Sequence, residues 1–268
     1  MRILVREVHY NIERAGEGEP LVLLHGLTGS SENWREHISF FERHFSLVAI
    51  DFLGHGKSDA PRDALRYRME WCVADLQEIF DELEIASAHV LGYSMGGRVA
   101  LHFANAYPER VKTLILESAS PGLKDSHERA TRAARDAELA ERIEREGLEN
   151  FVEEWTNIPL FATQARLPET TRAALKQQRL QNNAQGLANS LRGLSVGVQA
   201  SLWNVLPVIR IPTLLIAGQL DEKFSEIAAE MARAMPNAKL EIVADAGHAV
   251  HLEQPNIFDE LVRDFVKA

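Results

Sequence analysis

The chain has 268 residues, 46% hydrophobic and 25% charged, with 29 basic against 39 acidic side chains and a formal charge of -10. This is the composition of a globular domain with enough chain for a sizeable core, and its acid excess argues against non-specific contact with nucleic acid or an anionic membrane. Cys72 is the single cysteine, so no internal disulfide can form and a reducing cytoplasm is the expected setting.

The opening MRILVREVHYNIERAG is apolar only in short runs broken by Arg6 and Glu7, which does not read as a signal peptide. No stretch approaches the ~18 apolar residues of a membrane helix. Residues 2–14 alternate as a strand does, and Gly16, Gly18 and Pro20 then punctuate. Leu21–His25 is a continuous apolar run, as expected of a strand buried on both faces. Ser31–Arg43 reads as a helix and Phe45–Asp51 as a second buried strand. Met69–Leu83 carries helical spacing, His89–Tyr93 is another strand, and Met95–Tyr107 is a helix stopped by Pro108. Lys112–Glu117 is the next strand. This alternation predicts an α/β fold with a mostly parallel sheet flanked by helices.

The rhythm then breaks. Residues 121–204 contain no buried strand run and read as helices over Asp125–Glu146, Leu148–Trp155, Pro168–Gln181 and Leu187–Leu202. Strands resume at Pro212–Ala217 and Lys239–Ala244, and Asn256–Val266 closes the chain as a helix. The expected organisation is an α/β core of residues 1–120 and 205–268, with a helical cap of residues 121–204 inserted between the sixth and seventh strands. Such an insert lies over the strand ends, where open α/β sheets bind ligands, and is placed to gate the site.

Gly92-Tyr93-Ser94-Met95-Gly96 is a G-x-S-x-G sequence between a buried strand and a helix, the context of a nucleophile elbow. A Gly-rich turn could match by chance, so the partners matter. A serine hydroxyl needs a base, and the base needs a group to orient it. In this architecture they follow in the order acid, then histidine. Asp221 follows one late strand and His248 follows the next, each at the same sheet edge as Ser94. Taken singly, Asp221 could be only the N-cap of the helix Phe224–Met235, and His248 only a loop histidine. Asp245 competes as the acid, but it sits in the same short loop as the histidine.

His25-Gly26-Leu27-Thr28-Gly29 follows the first buried strand. That loop and the residue after the nucleophile supply oxyanion-hole amides in this architecture, here Leu27 and Met95. No Lys-Ser or Lys-Thr pair follows the glycines, so a phosphate loop is not indicated. The segment Asp51–Ser58 reads as a structural turn, with His55 a loop histidine rather than a metal ligand. No cysteine, histidine or acid spacing suggests zinc, and no cofactor is indicated.

HGLTGS, DFLGHGKS, GYSMGG, Asp221 and His248 together resemble the α/β-hydrolase superfamily over nearly the whole chain. GYSMGGRVAL, ESASPGL, WTNIPLFATQ, QRLQNNAQGLANSLRG and GQLDEKF narrow the resemblance to the 2-succinyl-6-hydroxy-2,4-cyclohexadiene-1-carboxylate (SHCHC) synthases of menaquinone biosynthesis. The resemblance implies a lyase that eliminates pyruvate from a substrate bearing several carboxylates. It implies that Ser94, His248 and Asp221 abstract a proton rather than form an acyl-enzyme. It also assigns Tyr93, Arg98, Arg132, Trp155 and Arg179 to the substrate. Guanidinium groups suit carboxylates because they pair bidentately, and Arg98 lies one helical turn beyond Ser94. Without the resemblance, Arg132 and Arg179 read as exposed helix cations and Trp155 as core.

The same triad would serve an esterase or a carbon–carbon bond hydrolase, and the scaffold could also serve a ligand sensor. The arginines favour a small anionic polycarboxylate as partner, with the chain a monomer or small homo-oligomer. The net charge does not oppose this. Residues 121–204 carry 11 basic and 11 acidic groups and are neutral. A distant acidic surface is screened over ~8 Å in physiological salt.

Overall fold

The computed structural model describes residues 1–268. The segment read as one N-terminal strand is a hairpin, β1 (Arg2–Val5) and β2 (Val8–Ala15). Its two-residue turn places Arg6 and Glu7 at φ 46 and 68 without a glycine, so no turn residue marks it in the sequence. The parallel strands are β3 (Pro20–Leu24), β4 (Ser46–Ile50), β5 (Ala88–Tyr93), β6 (Val111–Glu117), β7 (Thr213–Gly218) and β8 (Ala238–Val243). The eight strands run in the order β1-β2-β4-β3-β5-β6-β7-β8, with β1 and β2 antiparallel to their neighbours.

Alternate side chains of each strand enter different cores, as a period of two requires. Val22 and Leu24 of β3, Val90 of β5 and Leu116 of β6 face α2 (Met69–Glu82), α3 (Met95–Ala106) and α8 (Glu222–Ala234). Leu21, Leu23, Leu91 and Ile115 face α1 (Arg35–Phe41) and α10 (Pro255–Lys267). Both faces are therefore covered, which explains the unbroken apolar runs of the central strands. The helix expected over Ser31–Arg43 is divided, with a 3-10 turn over Ser31–Trp34 preceding α1.

Between β6 and β7 the chain forms α4 (Ser126–Glu146), α5 (Leu148–Thr156), a 3-10 stretch Pro159–Arg166, α6 (Glu169–Leu180) and α7 (Ala184–Gly193). These helices own a small core that includes Ile143, Phe151, Val152 and Leu187. The helix expected over Leu187–Leu202 begins and ends earlier. Gly193 lies so close to Tyr67 that a Cβ there would sit 2.5 Å from its backbone, and the chain turns away instead of continuing the helix. Residues 194–202 are irregular, and Leu194, Ser195 and Gln199 among them serve the site below.

The helical insert is bolted to the core by side-chain amides. Asn182 donates to the Thr28 carbonyl at 2.8 Å and accepts from the Gly56 amide at 3.0 Å. Gln178 donates to Ser30 and Asn33 at 3.0 and 2.7 Å, and Asn189 to the Pro61 carbonyl at 3.1 Å. The turn beneath is organised by Asp51, which accepts from Ser31 N, Asn11 Nδ2 and Lys57 N. Where α3 passes β3, a Cβ on Gly96 would collide with the Leu24 carbonyl oxygen. Gly96→Ala is therefore expected to lower folding stability by about 1–3 kcal/mol through overpacking, measured by chemical denaturation.

Candidate active site

Three sequence-distant segments converge at the C-terminal edge of the sheet. β5 ends at Tyr93, and Ser94 then adopts φ 51, ψ -105 before α3 starts. The Ser94 amide donates to the Glu117 carbonyl at 2.8 Å, which fixes the turn against β6. His248 Nε2 lies 3.1 Å from Ser94 Oγ, and His248 Nδ1 lies 2.6 Å from Asp221 Oδ2. Asp221 is buried and does two jobs. Its Oδ1 accepts from the Phe224 amide at 3.3 Å and caps α8, while Oδ2 holds the imidazole. One carboxylate oxygen thus caps the helix while the other meets the imidazole. Asp245 is exposed and takes no part in the array.

Glu117 also matters, though its sequence position at the end of a buried strand gave no sign of it. Its carboxylate is fully buried and accepts from the His251 backbone amide at 3.0 Å and its ring Nδ1 at 2.9 Å. The His251 ring packs on Tyr93 at 4.7 Å. One residue therefore ties the serine turn, through its carbonyl, to the histidine loop, through its side chain.

A cavity of about 330 Å³ opens over Ser94 and His248. Leu27 and Met95 line it, and neither amide N–H donates to another group of the chain. Two backbone donors are therefore left free among the residues that line the Ser94 cavity. The Leu27 loop is shaped by its neighbours. Thr28 sits at φ 65, and His25 donates from Nδ1 to the Gly26 carbonyl at 2.7 Å while its Nε2 accepts from the Phe52 amide at 3.1 Å. Burial holds His25 below the usual histidine range. It pushes His55 down to about 3, so both stay neutral parts of the scaffold.

Tyr93, Arg98, Arg132 and Trp155 also line the cavity. Arg98 has no carboxylate partner. Its guanidinium donates to the Leu194 carbonyl at 2.6 Å and to the Gln199 side-chain oxygen. Burial first, and then the charge of Arg132, pushes Arg98 down to about 10, so it remains a cation at neutral pH but a poorly solvated one. His102, one turn on, is driven to about 4 by burial and by Arg98. Arg132 is half exposed and is held by Asp136 at 2.8 Å. Asp136 in turn accepts from Ser195 Oγ at 2.6 Å, which locks the arginine to the irregular stretch after α7. The buried Trp155 Nε1 has no hydrogen-bond partner. Burial, then Glu117, raises the Tyr93 hydroxyl well above its ordinary range.

Arg179 is not brought into this cavity. It is buried in α6, donating to Thr156 Oγ1 at 2.8 Å, with its guanidinium 5.2 Å from the Phe161 ring centre. The phase of α6 presents it to the Thr156 side, and Leu27, Tyr93 and Phe161 form the wall shared by its cleft and the Ser94 cavity. Sequence reading missed Phe161, Phe224 and Lys223 on the cavity wall. The Phe224 ring lies 4.6 Å from that of His248. No group of three or more His, Cys, Asp or Glu is placed to hold a metal, and no helix is long and apolar enough to cross a membrane.

Comparison with known proteins places the chain in a family. A family profile for the alpha/beta hydrolase fold matches residues 19–255. A Bacillus subtilis (strain 168) protein with a provisional SHCHC synthase name is 48% identical over 95% of this chain and 92% of its own. The SHCHC synthase of Enterobacter sp. (strain 638) is 35% identical over 90% of each chain. The solved structure of MenH from S. aureus superposes with a TM-score of 0.92 at 35% identity, covering 96% of this chain and 97% of that one.

Asp221→Asn is expected to keep the α8 cap, since Asn and Asp cap equally well, whereas Asp221→Ala should cost about 0.5–2 kcal/mol of stability. Both should reduce turnover by about 10³-fold or more, because the imidazole loses its orienting charge. Steady-state rates and denaturation curves on the two variants check this. Wild-type turnover in Asp221→Asn would leave Asp221 a helix cap only.

Proposed function

This chain belongs to the alpha/beta hydrolase family and, within it, to the SHCHC synthases, and from that premise we propose how its own residues carry out the reaction. It is a lyase that converts 2-succinyl-5-enolpyruvyl-6-hydroxy-3-cyclohexene-1-carboxylate to SHCHC and pyruvate, a step of menaquinone biosynthesis. The observation that carries the substrate assignment is Arg98, a half-buried cation on the cavity wall with no carboxylate of its own.

Ser94 Oγ, polarised by His248 Nε2 at 3.1 Å, takes the proton from the ring carbon beside the succinyl carbonyl. Its own proton passes to the imidazole, and Asp221, 2.6 Å from Nδ1, stabilises the resulting cation. The C–H electron pair becomes a new ring double bond, the existing one shifts, and the C–O bond to the enolpyruvyl group breaks. The departing oxygen keeps that pair, receives a proton from His248, and the enol relaxes to pyruvate. Charge develops on the succinyl carbonyl oxygen, where the Leu27 and Met95 amides can meet it. Such donors contribute roughly 2.7–4 kcal/mol each. Arg98 and Arg132 pair with substrate carboxylates, and Tyr93 and Trp155 line the cavity as further substrate contacts. Arg179 adds positive potential from behind Phe161. The core of residues 1–120 and 205–268 supplies the catalytic array and Arg98, and the 121–204 insert adds Arg132 and Trp155 to the recognition.

A first requirement is that the purified chain releases pyruvate from the precursor, read with a coupled dehydrogenase. No pyruvate beside clear ester hydrolysis would turn the assignment to a hydrolase. Ser94→Ala should abolish release while the melting temperature stays within a few degrees. Arg98→Ala should lower kcat/KM on the precursor by about 100-fold or more, the scale of removing one partner of a buried charge pair. A neutral p-nitrophenyl ester should lose far less. Equal losses on the two substrates would remove the case for a carboxylate clamp.

A further inference from the structure

Lys223 is the one cavity-lining cation with no partner. Arg98 donates to the Leu194 carbonyl and Gln199, and Arg132 is ion-paired with Asp136. Lys223 makes no ion pair or hydrogen bond, is exposed, and reaches the cavity from the first turn of α8, two residues beyond Asp221. Its Nζ lies 5.7 Å from the Phe224 ring centre, and that ring packs on His248. A cation in the first turn of a helix faces the positive end of the macrodipole and is disfavoured there. Position 223 therefore holds a charge that local helix electrostatics oppose and that no side chain of the protein compensates. A residue that breaks a local rule without a structural gain marks a functional position. No Asp or Glu lines the cavity.

We propose that Lys223 is a substrate-binding residue that takes a carboxylate of the polyanionic substrate on the histidine side of the cavity, while Arg98 takes another on the serine-helix side. This rests on the lyase reading above and adds a residue to it. The three cations then surround the reacting ring from three separate elements, α3, α4 and α8. A free ammonium on a flexible stem suits a carboxylate that must arrive and leave, whereas the fixed guanidinium of Arg98 suits one that must be held.

The test compares Lys223→Met, Lys223→Arg and Lys223→Glu with the wild-type chain in the pyruvate assay. Lys239→Met, on β8 outside the cavity and paired with Glu241, is the control for net charge. Lys223→Met should raise KM for the precursor about tenfold, the scale of one partly exposed charge pair, with the effect on KM rather than kcat. Its KM should also depend less steeply on salt than that of the wild type. Lys223→Arg should recover most of the affinity, Lys223→Glu should lose more than Met, and Lys239→Met should change neither constant. Calorimetric binding of SHCHC, the dicarboxylate product, should weaken in the same order without turnover. An unchanged KM and unchanged SHCHC affinity in Lys223→Met, or a loss confined to kcat, would overturn the assignment. A wild-type chain that bound SHCHC but released no pyruvate would overturn the reaction and leave Lys223 to the calorimetry. One that did neither would overturn both.

Discussion

The site depends first on a backbone conformation that the chain is forced to hold. Ser94 at φ 51, ψ -105 lies outside the regions open to most side chains, a strain of order 1–3 kcal/mol that only its surroundings can maintain. Those surroundings are built from close approach. Gly92 stacks on Gly97 so tightly that a Cβ on Gly92 would lie 2.6 Å from the Gly97 Cα, and Gly96 lies against β3. With α3 pressed this hard onto β3 and β5, the serine is thrust above the sheet edge. Met95, as the first residue of α3, has no intrahelical acceptor for its amide, which is left free beside the cavity. Nucleophile exposure and one free backbone donor are two results of the same turn from strand to helix.

The second constraint is electrostatic. A protein of net charge -10 gathers cations around one cavity and puts no acid side chain on its wall. Arg98 is held there by a carbonyl and an amide oxygen rather than a carboxylate, so its charge is oriented without being cancelled. Burial makes that charge costly in the empty site. A carboxylate entering the cavity relieves this cost as it binds, and a neutral molecule of the same shape does not. Selectivity for anions is thus a property of the unliganded fold, present before any substrate contact is made.

Much of this is legible in the sequence, for identifiable reasons. The parallel strands announce themselves as apolar runs because both faces of the sheet are covered. Ser94, Asp221 and His248 can be placed because each sits at a strand end in a fixed order. The β1–β2 hairpin was hidden because its turn uses Arg6 and Glu7 instead of glycine or asparagine. The end of α7 was hidden because a tertiary approach to Tyr67, not a local breaker alone, stops the helix. Arg179 could be matched by resemblance but not positioned, since one residue of helical phase decides which side of Phe161 it occupies. Glu117 lies in the ESASPGL stretch and Lys223 and Phe224 in GQLDEKF, but those motifs assign them no role, and only the fold reveals what they face. The stretch around Gln178, Asn182 and Asn189 looked like a family signature, and its side chains prove to be the fastenings of the insert.

The insert springs from β6 and returns to β7, which are adjacent in the sheet. Strand pairing continues beneath it undisturbed, so its helices can diversify over evolution without altering the register that holds the triad. Beyond the amide fastenings Gln178, Asn182 and Asn189, one further stretch is exempt from that freedom. Residues 194–199, on the return path, supply both acceptors of Arg98, and Ser195 also bonds the acid that restrains Arg132. Lineages descended from this scaffold can exchange the roof, but those that keep an arginine at position 98 must also keep, or reinvent, the two groups that aim it, the Leu194 carbonyl and the Gln199 side chain.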